Sequence, residues 1–168
     1  MVNAIQKKQL KIFLEGVSVM SIAVCLDNKP MSSVVLFTVD NDLSFYFLTK
    51  RNTYKAKALR SNPQISISIW VQNNKLIQAS GEVMEISGDA EFDKYYKKLS
   101  SISDRMQNAY WPFTAVKGEE SVVYKVFTKW LRVMDLSSDG KDNPFYTVEL
   151  EKSMGGSSFR SSQFYFIA

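Results

Sequence analysis

The stretch Lys50-Arg51-Asn52-Thr53-Tyr54-Lys55-Ala56-Lys57 joins residue types that suit anion binding. It follows an apolar run, Leu43 to Leu48, and Thr53 stands where a hydroxyl caps a helix start. Lys55 and Lys57 then fall in the first helical turn, where cations are ordinarily disfavoured because a helix N-terminus already carries partial positive charge. Free amide N–H groups, a threonine hydroxyl and ammonium groups in one turn make a phosphate cradle. Between Lys50 and Asn62 there are five cations (Lys50, Arg51, Lys55, Lys57 and Arg60) and no acid. The competing reading of these residues is a solvated basic face with an ordinary threonine cap.

Other chemistry is excluded by what the chain lacks. It has no histidine, so a Ser-His-Asp triad, a Cys-His pair, a paired-histidine zinc helix and a histidine-ligated haem are ruled out. Cys25 is the only cysteine, which rules out an intrachain disulfide and a thiolate metal cluster and leaves a reducing cytosol as the default setting. Glu82, Glu85 and Asp89 show no paired spacing for general acid/base work, so no catalytic side chain is assigned and no metal site is expected. The net charge of +4 is mildly basic, and five cations in one turn are too narrow a stripe for nucleic acid. Met1 to Gly16 has lysines inside its apolar part and does not read as a signal peptide; no apolar run approaches membrane-spanning length. The expectation is a cytoplasmic protein with no nucleic-acid or membrane partner.

The elements that must position the basic turn are mostly strands. Residues 3–15 read as a helix, with Asn3 as cap, Ile5, Ile12 and Phe13 on one stripe and Gly16 as stop. Val17–Leu26, Met31–Val39 and Leu43–Leu48 read as three antiparallel strands, separated by turns at Asp27-Asn28-Lys29-Pro30 and Asp40-Asn41-Asp42. A short helix after Thr53 ends at Asn62-Pro63. Ile65–Val71 alternates apolar and polar residues, and Lys75–Ile86 is a long strand whose Gly81 suggests a bulge. A helix from Gly88 to about Leu99 follows, then a second possible helix before the aromatic loop Tyr110-Trp111-Pro112-Phe113, then a sixth strand, Ser121–Val133. The polar remainder holds candidate strands at Phe145–Leu150 and Phe164–Ile167. Closely spaced early strands disfavour a parallel sheet. The reading is a mainly β (α+β) fold: a single domain over 1–168, a six-stranded antiparallel split β-barrel flanked by helices, with its core at about 14–136 and a C-terminal extension over 137–168.

Pro30-Met31-Ser32-Ser33-Val34-Val35-Leu36-Phe37, Asp42-Leu43-Ser44-Phe45-Tyr46-Phe47-Leu48-Thr49 and Thr53-Tyr54-Lys55-Ala56-Lys57-Ala58-Leu59-Arg60-Ser61-Asn62-Pro63 resemble the pyridoxamine 5'-phosphate oxidase-like family of FMN-binding split barrels. Ile77–Val83 and Trp130–Asp135 resemble its fifth and last barrel strands. The resemblance implies a homodimer with FMN at the subunit interface. It implies that the flavin ring meets backbone groups of Ser33, Val34, Val35, Leu48 and Thr49, and that the phosphate sits near Thr53, Tyr54 and Lys55. The phosphate position coincides with the cradle read from the residues themselves.

Departures from the family pattern define what is not implied. Pyridoxamine phosphate oxidases carry a basic residue at each end of the second-strand motif, where this chain has Ser33 and Thr38. Their last strand ends in an Arg-Leu-His-Asp-Arg signature; here Arg132-Val133-Met134-Asp135-Leu136 keeps only the first arginine and the aspartate. The expectation is thus an FMN-dependent oxidoreductase acting on an unassigned small molecule, with vitamin B6 phosphates disfavoured. A flavin-binding protein without turnover, a ligand-free barrel and a deazaflavin site are the alternatives. Trp70, Trp111 and Trp130 are candidates to cover a flavin or to pack in the core or dimer interface, and Arg132 to reach a substrate anion or pair with Asp135 or Glu85. Tyr95 and Tyr96, among Lys94, Lys97 and Lys98, read as a solvated helix face, and Cys25 as buried and inert.

Overall fold

The computed structural model of the chain describes residues 4–71, 75–86, 89–106, 120–135, 145–148 and 150. The elements run α1 (Ala4–Glu15), β1 (Val19–Leu26), β2 (Lys29–Val39), β3 (Phe45–Lys50), α2 (Tyr54–Ser61), β4 (Gln64–Val71), β5 (Lys75–Glu85), α3 (Asp89–Arg105), β6 (Ser121–Asp135) and β7 (Phe145–Val148). Every strand pairing is antiparallel, in the order β3-β2-β1-β4-β5-β6, and a further pairing of β3 with β6 closes the six strands into a barrel. β7 adds to the far half of β6, through Leu131 to Met134.

Local chemistry explains the joints. Asp27 and Asn28 both have positive φ, 50° and 58°, and form the two-residue hairpin turn between β1 and β2, a conformation that Asp and Asn tolerate well. Lys29 and Pro30, read as part of that turn, already belong to β2. At Gly81 the β5–β6 register shifts, and a Cβ there would run into the Phe127 carbonyl oxygen. Only glycine admits this close approach, and the resulting bulge bends the ladder so that β6 can pair with β3 below it and β7 above it.

Two apolar clusters hold the molecule. The barrel interior is filled from alternate strand positions, including Ile22, Val35, Phe37, Phe47, Ile67, Ile77 and Val133. A second cluster lies between α3 and the outside of β2, β3 and β6, where Tyr95, Leu99 and Ile102 meet Leu36, Tyr46, Leu48 and Val123. Each such fully buried side chain contributes roughly 1.5–3 kcal/mol of transfer free energy.

Four expectations are corrected. In α1 the fully buried residues are Leu10 and Leu14, spaced i, i+4; Phe13 packs beside them against the core as expected, whereas Ile12 is 60% exposed. α3 runs on to Arg105, six residues past Leu99, so the second possible helix is a continuation of the first. Tyr95 is not solvated: it is buried, stacked on Tyr46 at 3.6 Å between centroids, and donates its hydroxyl to Asp40 Oδ2 at 2.6 Å. Cys25 is partly exposed rather than buried, because its position on β1 alternates with the inward Val24. Asn3, Trp111 and the candidate strand at 164–167 lie outside the described residues.

Candidate functional site

The β2–β3 ladder is short. It has rungs at Val39↔Phe45, Thr38↔Tyr46 and Phe37↔Phe47, although β2 continues back to Lys29 and β3 runs on to Lys50. Past Phe47 the two strands part. β2 keeps its other neighbour, β1, down to Lys29, and β3 keeps β6 up to Lys50. The facing edges of both strands therefore carry backbone N–H and C=O groups with no ladder partner. Leu48 and Thr49 lie one and two residues past the last rung on β3; Val35, Val34 and Ser33 lie two to four past it on β2. All five residues expected to meet a planar ring thus stand at one split. Side chains of Val35, Leu48 and Thr49 are buried and cannot line a ligand with more than backbone, whereas Val34 is 58% exposed.

α2 begins directly after the split. Thr53 caps it in extended conformation, its Oγ1 accepting from the Ala56 amide at 3.4 Å and its carbonyl from the Lys57 amide at 3.1 Å. The Thr53 hydroxyl proton goes to the Lys50 carbonyl at 2.8 Å. Thr49 Oγ1, 3.2 Å away, must then be the donor to Thr53 Oγ1. These bonds lock the turn and leave the Tyr54 and Lys55 amides as the helix-start donors with no acceptor among the described residues. The Tyr54 hydroxyl donates to the Lys29 carbonyl at 3.4 Å, which ties this helix start to the far end of β2.

The cations divide sharply. Arg51 and Arg60 are held by Glu85, at 2.8 and 3.3 Å. Lys55 is partly buried and has no ion pair among the described residues; burial alone pushes its ammonium below the usual lysine range. On β2 the Ser33 hydroxyl is buried with no hydrogen-bond partner among the described residues. A partly buried cation and free amides at the helix start, with an orphaned hydroxyl on the neighbouring β2, are donor types that suit a phosphate ester. Sequence reading identified Thr53, Tyr54 and Lys55 as local features, but missed Glu85. Its carboxylate arrives from β5, and no local signal in the basic turn announces it.

Outside the barrel, one sheet face stays open. Val34, Ala23, Ser66 and Ser68 are exposed on it, as are Trp70 at 65% and Phe145 at 43%. The register aligns Val34 with Ser21, Ser21 with Ser68, Ser68 with Gln78, Gln78 with Arg132 and Arg132 with Thr147, so this face runs unbroken from β2 to β7. Arg132 donates to Gln78 Oε1 at 2.7 Å and stacks over Trp130 and Phe145, with its guanidinium carbon 5.6 and 5.0 Å from their ring centres. No group of metal-ligating side chains occurs among the described residues, and no described helix is long and apolar enough to cross a membrane.

Fold and corner together define a split barrel: a closed six-stranded barrel whose second and third strands separate over a basic helix start. The sequence model of one family, pyridoxamine 5'-phosphate oxidase, matches residues 6–133, and the chain belongs to that family. It is 31% identical over 100 residues to the pyridoxine/pyridoxamine 5'-phosphate oxidase of Ehrlichia ruminantium, covering 58% of this chain and 51% of that one, so it spans about half the length of this curated relative. Among solved structures it resembles a pyridoxamine 5'-phosphate oxidase-related FMN-binding protein from Nostoc punctiforme, with TM-score 0.58, 14% identity and coverage of 86% of this chain and 84% of the other. It also resembles an FAD-binding protein from Mesorhizobium loti, with TM-score 0.57, 14% identity and coverage of 78% and 93%.

Proposed function

We propose that this chain is an FMN-binding oxidoreductase that works as a homodimer in the cytoplasm. The observation that carries the reading is the unneutralised Lys55 at the start of α2, beside the open edges of β2 and β3. The Lys55 ammonium and the Tyr54 and Lys55 amides would hold the FMN phosphate, with the Ser33 hydroxyl as a further donor on the β2 side. Free backbone groups of Ser33 to Val35 and of Leu48 and Thr49 would meet the polar edge of the ring, which fixes its orientation. FMN is favoured over a larger dinucleotide because the described residues supply one phosphate corner and no second cationic cluster beside it. Bound flavin supplies hydride and electron transfer, so the protein's own part is orientation and exclusion of water.

The open sheet face supports the homodimer. A continuous face of serines, an alanine and a paired Gln78–Arg132, with Trp70, Val34 and Phe145 exposed on it, is the kind that a second copy covers. Val34 lies both on that face and at the split, which would place the flavin beside the interface. A lone cysteine suits a reducing compartment. Oxidation of vitamin B6 phosphates is not part of the proposal, since Ser33, Thr38 and Met134 replace the basic residues and histidine of that pattern.

The test is the visible spectrum of the purified protein, with mass identification of whatever heat releases. A band near ~450 nm from bound FMN, bleached by NADH or NADPH and restored by air, is the expected result for a flavin oxidoreductase. A colourless protein that fails to take up FMN refutes binding; a band that no reductant bleaches leaves a carrier of flavin rather than an enzyme.

A further inference from the structure

Glu85, the last residue of β5, collects three donors. Arg51 Nη1 reaches its Oε1 at 2.8 Å, Arg60 Nε reaches Oε2 at 3.3 Å, and the Tyr124 hydroxyl reaches Oε2 at 3.3 Å. A second N–H of Arg60, from Nη1, donates to the Arg51 carbonyl at 2.9 Å. Arg51 sits in the turn before α2 and Arg60 in its last turn, so the carboxylate grips the helix at both ends. The Arg51 amide is itself fixed by the Glu120 carbonyl at 2.8 Å. Isolated surface ion pairs contribute little, but a shared carboxylate with several directed donors restricts geometry more than any single pair does. What is restricted here is the aim of a helix start whose amides and Lys55 have no other partner among the described residues.

We propose that Glu85 is a positioning residue for the anion corner: by clamping Arg51 and Arg60 it sets the direction in which the Tyr54 and Lys55 amides and the Lys55 ammonium point. This rests on the flavin reading above. The clamp also withdraws two guanidiniums, which leaves the Lys55 ammonium, the Tyr54 and Lys55 amides and the Ser33 hydroxyl as the donors proposed above. Arg60 must be an arginine for this role, because its planar fork reaches a carboxylate and a carbonyl at once, which the single ammonium of lysine on a flexible stem does not reproduce.

The experiment measures dissociation constants of FMN and riboflavin, by quenching of flavin fluorescence, for the native chain, Glu85→Gln, Arg60→Lys and Lys55→Ala. Riboflavin lacks the phosphate, so the riboflavin constant divided by the FMN constant reads the corner alone. The clamp predicts that this ratio falls about tenfold in Glu85→Gln and Arg60→Lys, the equivalent of one well-aimed hydrogen bond, with riboflavin changed by less than about twofold. Arg60→Lys preserves charge, so a fall there is geometric. Tighter FMN binding by Glu85→Gln with no change in Arg60→Lys shows simple neutralisation and overturns the clamp, as does parallel weakening of both flavins. An unmoved ratio in these two variants, with Lys55→Ala lowering it, overturns the clamp and leaves the flavin reading standing. An unmoved ratio in all three overturns the reading itself.

Discussion

Lys55 carries a charge that the described part of the fold leaves unneutralised while partly burying it. Such a group costs stability unless a ligand uses it, and stability lost at a site is a common price of function. Replacing Lys55 by Ala should weaken FMN binding by about 1–3 kcal/mol, the scale of a lost charged hydrogen bond, in a fluorescence titration. The flavin-free protein should respond in the opposite sense. Because burial lowers the Lys55 pKa, the folded state binds its proton less readily than the unfolded state does. Stability therefore rises with pH as it climbs through the lowered pKa toward the ordinary 10.5. Lys55→Met should melt at a higher temperature than the native chain at pH 7, and the gap should narrow toward pH 10; a gap that stays constant means that burial does not penalise this charge. Thr53 and Lys55 were legible in sequence because a cap and a cation at a helix start are neighbours in the chain. Tyr95 was not: three flanking lysines suggested solvent, yet its ring lies on the same helix face as the buried Leu99 and Ile102.

At the scale of elements, strands were legible wherever apolar and polar residues alternate, as in β4, where Ile65, Ile67 and Ile69 are buried between exposed Ser66, Ser68 and Trp70. Helix ends were less so, since α3 continues past Leu99 through serines and an aspartate of modest helix propensity that tertiary packing of Ile102 overrides. The anchor of α3 can be tested at Tyr95. Its hydroxyl bond, above all, holds the Asp40 carboxyl below the ordinary 3.8, so this contribution is complete above that pH and disappears as pH falls through the lowered value. Tyr95→Phe should cost about 1–2 kcal/mol at neutral pH in urea unfolding and show a shallower loss of stability in acid below about pH 4. An unaltered acid limb would mean that Asp40 is held by other groups. Gly81 is the second structural test. Gly81→Ala drives a methyl into the Phe127 carbonyl and should cost about 3 kcal/mol, at the upper end for overpacking, as a lowered urea midpoint.

For the whole molecule, the six antiparallel strands were legible from their spacing and the bulge from Gly81, but their order was not: hairpin order would set β4 beside β3, whereas β4 pairs with β1. The rungs that achieve closure, Phe45↔Val126 to Lys50↔Ser121, join segments far apart in sequence and carry no local signature. The open sheet face was equally hidden, because exposure of Trp70 and Val34 depends on which strands become neighbours. If a second copy covers that face, Val34→Glu and Trp70→Glu should each halve the mass measured by sedimentation, from twice 19.2 kDa to 19.2 kDa, and loosen flavin binding at the same time. A native chain that sediments at 19.2 kDa contradicts the dimer. The most direct measurement of the central claim is a crystal structure of the FMN complex. The phosphorus is expected at the start of α2, with phosphate oxygens roughly 2.7–3.1 Å from Lys55 Nζ and from the Tyr54 and Lys55 amides. A phosphate bound elsewhere, or Lys55 directed into bulk water beside an empty helix start, would contradict it.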